Sequence, residues 1–170
     1  MLTVVVDTNI FIDALFYNDV DIIKLFKYEH NRNIQFITCE QTVKELNRLI
    51  KRICKRLKYT KDQIFYIGSK INYILARSKY VNIGKQFPRY CEDSDDDKFI
   101  ECGKVGQADY ILSSDGHIVL IPNCTKDMYK FNFKIIDILD FVVDIDYFIS
   151  KYSALQNSNN NGIRFIKINR

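Results

Sequence analysis

Residues 2–9 read LTVVVDTN. Leu2 is followed by four β-branched residues with no polar alternation. Such a run marks a strand buried on both faces, as in a parallel sheet. The polar triplet Asp7-Thr8-Asn9 comes next, and each of its members is a good helix cap. "IFIDALFYND" then takes up helical spacing. A buried strand that ends on an acid and turns into a helix is the opening unit of an α/β fold. In open parallel sheets, sites form at the carboxyl ends of the strands. Asp7 stands at such an end.

The rest of the chain repeats this alternation. "DVDIIKLFKYEH" reads as a helix and "NIQFITCE" as a second short strand. "EQTVKELNRLIKRICKRLKY" is an amphipathic helix, with Val43, Leu46, Ile50, Ile53 and Leu57 on one side and Lys44, Arg48, Lys51, Arg52 and Lys55 on another. "TKDQIFYIGSKINYILARSKYV" reads as a further helix with a break near Gly68, and 58–90 as an excursion on one side of the sheet. "NIGKQFPRYCEDSDDD" is a loop, "DKFIECGKVGQA" a helix and "DYILSSD" a third strand. "HIVLIPNC" fits strand or short helix. "FNFKIID" closes the sheet and "ILDFVVDIDYFISKY" is a last helix. These elements predict one α/β domain over 1–150 with a mostly parallel sheet. Residues 151–170 form an Asn-rich basic tail, in which "IRFIKI" could make an edge strand.

Composition narrows the classes. With 170 residues, 47% of them hydrophobic, the chain can bury a core. No stretch reaches the roughly 18 apolar residues of a membrane-spanning helix. The five cysteines are odd in number and contain no C-x-x-C pair, so a reducing cytoplasm is expected rather than a disulfide framework. The tail holds Lys151, Arg164, Lys167 and Arg170 and no acid, which accounts for the net charge of +4. In the body the charges are segregated. Lys44 to Arg89 holds thirteen Lys or Arg against Glu45 and Asp62, whereas Glu92 to Asp97 is all acid but for one serine. A basic block beside an acidic knot suits a polyanion and a cation in one molecule. It also suits a solvated helix face beside a polar loop.

Four acids converge on one sheet edge in this reading. Asp7 closes strand one and Asp115 closes "YILSS". Asp97 opens the helix leading into that strand, and Glu45 lies in the first turns of the helix after strand two. Three of them have a plain structural alternative: a helix cap for Asp7, a turn for Asp115 with Gly116, an exposed ion pair with Arg48 or Arg52 for Glu45. As a set they form an oxygen-rich cluster whose mutual repulsion a hard cation, Mg²⁺ or Mn²⁺, would relieve. Neither His30 nor His117 belongs to a nucleophile motif, and His117 reads as a turn residue.

"VVVDTNIFIDAL", "ITCEQTVKELNRLI", "DDDKFIECGKVGQADYILSSD" and "FKIIDILDFV" follow one another in the order found in the PIN domain family, which the chain resembles over roughly residues 1–145. The likeness is closest to bacterial PIN-domain proteins described as toxins of toxin–antitoxin pairs. It implies a three-layer α/β/α sandwich and a metal-dependent ribonuclease acting through Asp7, Glu45, Asp97 and Asp115 with Mg²⁺ or Mn²⁺. It further implies Asn9 and Ser113 as supporting polar groups, RNA as substrate, an antitoxin as partner and homo-oligomers. Gly103 stands where the family usually has a small Ala, and "GHIV" follows Asp115 in place of a second acid. Water would be the nucleophile. Arg48, Lys51, Arg52 and Lys55 on the basic helix would carry the flanking RNA phosphates. Two rival classes remain: a PIN-like module that binds RNA or protein without cutting, and an aspartyl-phosphate domain. The second is disfavoured, because "DTN" lacks an Asp-x-Asp and no Lys closes a strand near 113–121.

Overall fold

A computed structural model describes residues 1–17, 20–121, 123–147 and 149–150. The Asn-rich tail, with its candidate strand "IRFIKI", lies outside the described residues. Five parallel strands run through the centre in the order β3-β2-β1-β4-β5. They are β1 Leu2–Val6, β2 Ile34–Cys39, β3 Lys79–Val81, β4 Tyr110–Leu112 and β5 Lys134–Ile136. The helices are α1 Thr8–Phe16, α2 Val20–His30, α3 Glu40–Arg56, α4 Lys61–Arg77, α5 Asp97–Gly106, α6 Gly116–Val119 and α7 Asn123–Tyr129. Residues 138–147 form the closing helix.

The valine run does what its pattern predicts. Val4 and Val6 belong to one core and Val5 to the other, because successive side chains on a strand leave by opposite faces. Ile34 and Phe36 of β2 join Val4, while Ile37 and Cys39 join Val5. The first core packs α1, α2, α3, α4 and the closing helix through residues such as Leu25, Leu46, Ile71 and Phe141. There Phe11, Phe26 and Phe36 meet with ring centroids 5.6–5.7 Å apart. The second core holds α5 through Phe99, Ile100 and Cys102. Helices on both faces of one sheet make the three-layer α/β/α sandwich.

Alpha-helix 5 lies unusually near the sheet. A Cβ on Gly103 would come 2.8 Å from Cδ1 of Ile111, and one on Gly106 2.7 Å from Cγ2 of Ile37. The two missing side chains let the helix start, with its acids, settle over the ends of β1 and β4.

Two local expectations change, and one open alternative takes its helical form. The third strand in chain order, β3, lies where the sequence pattern reads as the end of a helix. Its short "KYV" pairs with β2 on one side only. Segment 58–90 is therefore no simple excursion, since it returns to the sheet to add that edge. Helix α4 runs unbroken through Gly68, where a Cβ would meet nothing within 4 Å and the glycine costs only about 1 kcal/mol of helix propensity. "GHIV" is the short helix α6.

Candidate functional site

Asp7 is the first residue beyond β1. Its backbone N–H donates to Leu112 O of β4 at 2.9 Å, which fixes it in the seam between the two central strands. The side chain caps α1: Oδ1 accepts the Asn9 N–H at 3.2 Å. Oδ2 accepts the Ser113 hydroxyl at 2.7 Å. Ser113 is fully buried, and its Oγ in turn accepts the Asp115 N–H at 2.9 Å. One serine thus ties the acids after β1 and β4 together. Asp115 caps α6 by accepting the His117 N–H at 2.8 Å. The His117 ring stands 3.5 Å from Glu92, outside this linkage.

Glu45 reaches the same place from the second turn of α3. Buried Thr8 donates its hydroxyl to Glu45 Oε1 at 3.0 Å. Glu45 Oε2 pairs with Lys98 at 2.7 Å, not with Arg48 or Arg52. Glu45, Thr8, Asp7, Ser113 and Asp115 are consequently linked in one chain of contacts, drawn from the ends of β1, β2 and β4.

The third acid is the main departure from the sequence reading. Asp97 is the first residue of α5 and is buried, but its Oδ1 accepts the backbone N–H groups of both Tyr90 and Cys91 at 2.7 Å. It fastens the incoming loop to the helix start. Its neighbour Asp96, the N-cap residue, makes no side-chain capping bond. Asp96 lies close enough to Asp7 and Asp115 to feel both charges. Burial first, and then those two carboxylates, push its carboxyl up to about 6, against a pull downward from Lys98. The structure therefore brings Asp7, Glu45 and Asp115 together with Asp96 and leaves Asp97 as the anchor behind them. A cue existed in the sequence. Gly103 lies seven residues, two helical turns, after Asp96, so Asp96 shares the line of the helix that faces the sheet. Ser94 and Asp95 do not cap α5; Asp95 N–H instead closes a turn onto Asp93 at 2.8 Å.

Burial is also the leading cause that raises the Asp7 carboxyl. Hydrogen bonds from Ser113 and Asn9 oppose it, and the charges of Glu45 and Asp115 reinforce it. Carboxyls with elevated pKa in one cluster are short of positive charge. The donor set is all hard oxygen, which fits Mg²⁺ or Mn²⁺. Among the described residues no three acidic, His or Cys side chains already form a metal cage. Asp7, Glu45 and Asp115 are instead each held by a partner of their own: Ser113, Thr8 with Lys98, and the α6 cap respectively.

An open cleft of about 560 Å³ runs beside the cluster, lined by Gln41, Lys44, Glu45, Arg48, Phe87, Asp96 and Lys98 among others. Arg48, Lys51, Arg52 and Lys55 are exposed along α3, and of these Arg48 lines the cleft. Asn9 serves through its backbone N–H, with its side chain exposed. Sequence reasoning missed three contributors: Asp96, Thr8 and Lys98. Thr8 looked like one of three alternative caps, and Lys98 stood as the base directly after the acidic knot.

A family model described as PIN domain matches residues 3–117. No curated protein matches the sequence. Among solved structures, a chain in the crystal structure of VapBC2 from Rickettsia felis, bound to a DNA fragment from their promoter, is similar at 10% identity with a TM-score of 0.49. The match covers 80% of this chain and 98% of that one.

Proposed function

The chain belongs to the PIN domain family, and from that premise we propose that it is a metal-dependent endoribonuclease that hydrolyses RNA phosphodiester bonds at the Asp7–Glu45–Asp96–Asp115 cluster. The observation that carries this reading is the convergence of those four acids at the carboxyl end of a parallel sheet, beside the exposed basic face of α3. Asp7 and Asp96, the two with raised pKa, would hold a Mg²⁺ or Mn²⁺ ion, and Glu45 and Asp115 would complete its surroundings. Such an ion, when bound, neutralises the phosphodiester and acidifies an attacking water.

The remaining tasks fall to the chain itself. Ser113 and the Asn9 N–H aim the two oxygens of Asp7. Thr8 holds one oxygen of Glu45. Asp97 holds loop residues Tyr90 and Cys91 against the start of α5, which keeps Asp96 over the sheet. Arg48, at the cleft wall, and Lys51, Arg52 and Lys55 beyond it would bind successive phosphates of a single-stranded or looped RNA. The likeness to toxin-type PIN proteins adds a partner to the proposal, an antitoxin protein that covers the cleft. It also adds a homo-oligomer, which size measurement in solution tests.

The deciding experiment is cleavage of a mixed RNA pool with Mg²⁺, Mn²⁺ or EDTA by the wild type, Asp7→Asn and Asp96→Asn. Metal-dependent cleavage that both folded variants lack is the expected result. Equal cleavage by the variants refutes the assignment of the acids. A wild type that binds RNA but never cuts it supports the binding-module reading instead.

A further inference from the structure

Among the described residues Lys98 is the cation paired inside the acidic cluster, and its placement is specific. Its side chain is only 12% exposed and that of Glu45 only 21%. The ammonium sits 4.5 Å from the centroid of the Phe99 ring and also donates to Asp95 O. Its stem is thus packed down rather than swinging in solvent. With Thr8 on Oε1 and Lys98 on Oε2, both oxygens of Glu45 are engaged. A hydroxyl donor leaves a carboxylate oxygen able to accept a further partner. An ammonium 2.7 Å away disfavours a divalent cation on that oxygen, because the two positive charges repel at close range.

We propose that Lys98 is a positioning residue, the built-in counter-cation of the cluster, which holds Glu45 until an arriving divalent cation displaces it. The proposal rests on the reading of the four acids as a cation site. It makes metal loading an exchange: the ion gains Glu45 and Lys98 loses it. The displaced ammonium stays in the cleft wall near Arg48, where a phosphate of the substrate replaces the carboxylate as its partner. The same side chain then serves the empty site and the loaded one.

The test uses the full chain at neutral pH. Mn²⁺ affinity is measured by calorimetry, and the melting temperature of the metal-free protein is recorded in parallel. The variants are Lys98→Met, Lys98→Arg, Glu45→Gln and the double variant Lys98→Met with Glu45→Gln. Methionine keeps the stem over Phe99 and removes the charge. Lys98→Met should bind Mn²⁺ about tenfold more tightly than the wild type, from the lost repulsion. Lys98→Arg should keep the wild-type affinity. The gain should vanish when Glu45 is also changed, since the two residues act as a pair. Without metal, Lys98→Met should melt below the wild type, and adding Glu45→Gln should restore it. Unchanged or weaker Mn²⁺ binding by Lys98→Met overturns the proposal, as does a gain that survives Glu45→Gln. If no form binds Mn²⁺, the nuclease reading fails. The melting data then decide alone: a loss restored by Glu45→Gln upholds the counter-cation role, and no loss removes it.

Discussion

Adjacent acids at the start of α5 should respond to deletion in opposite directions. In the native protein the Asp96 carboxyl lies at about 6, against an ordinary value of 3.8. The folded state therefore binds this proton more tightly than the unfolded chain does. Asp96 costs nothing below about pH 4, and the protein loses stability as pH rises from there through 6. In full, such a difference corresponds to about 3 kcal/mol. Asp96 is half-buried, and solvent screening reduces the figure to roughly 1.5 kcal/mol. Removing the acid also gives up about 0.5 kcal/mol of favourable interaction with the helix dipole. Asp96→Ala should thus stabilise the metal-free protein by about 1 kcal/mol at pH 7.5, raising its Tm by about 2–4 °C for a chain of this size. The gain should shrink to nothing by pH 4. Asp97→Ala does the reverse. It strands two buried backbone N–H groups, on Tyr90 and Cys91, at about 1–3 kcal/mol each, and should lower the Tm by 5 °C or more. Thermal melts of the two variants in EDTA at pH 7.5 and pH 4 read both effects. A fall in Tm for Asp96→Ala at pH 7.5, or a wild-type Tm for Asp97→Ala, would refute the division of roles between the two residues.

Three further outcomes follow from the same geometry. Mn²⁺ binding should weaken below pH about 6, where a proton on Asp96 competes with the ion; calorimetry showing equal affinity at pH 5 and 7.5 would contradict this. Gly106→Ala should destabilise by about 1–2 kcal/mol, since its Cβ would lie 2.7 Å from Ile37 and overpacking there outweighs the gain in helix propensity; a Tm at or above wild type would count against the tight seating of α5. Replacing Arg48 and Arg52 with Gln should weaken binding of single-stranded RNA and flatten the log K against log salt plot by about 0.7 per lost phosphate contact. An unchanged slope would move the RNA path off α3.

Much of the architecture was legible because burial on two faces leaves a simple trace. The run Thr3–Val6 announces a central strand, and the acid that ends it announces a site. The fourfold spacing on α3 marks a buried face, although the buried line is Thr42, Leu46, Ile50 and Cys54, turned slightly from the expected one that ended at Leu57. Beta-strand 3 left no trace, because three residues at an edge, two of them exposed, need no apolar pattern. The acid after β1 could be read from its position, but Asp96 and Asp97 could not be told apart by composition. A helix start rotates the side chain by about 100° per residue, and only the placement of Phe99, Ile100 and Gly103 against the sheet decides which acid meets Asp7. Lys98 was hidden for a similar reason, since its partner Glu45 lies 53 positions earlier and belongs to another strand–helix unit.

Asp97 has a consequence beyond stability. By gripping Tyr90 and Cys91 it draws a boundary across the chain. Between β3 and Tyr90 the connection buries Ile83 and leaves most of its other residues exposed, so changes at those exposed positions bear less directly on the acids. That connection includes Phe87, which lines the cleft. The grip thus separates the acidic cluster from a largely exposed segment that borders the cleft. On the nuclease reading, substrate preference would shift through the exposed residues of 82–89 while the acidic centre stayed intact.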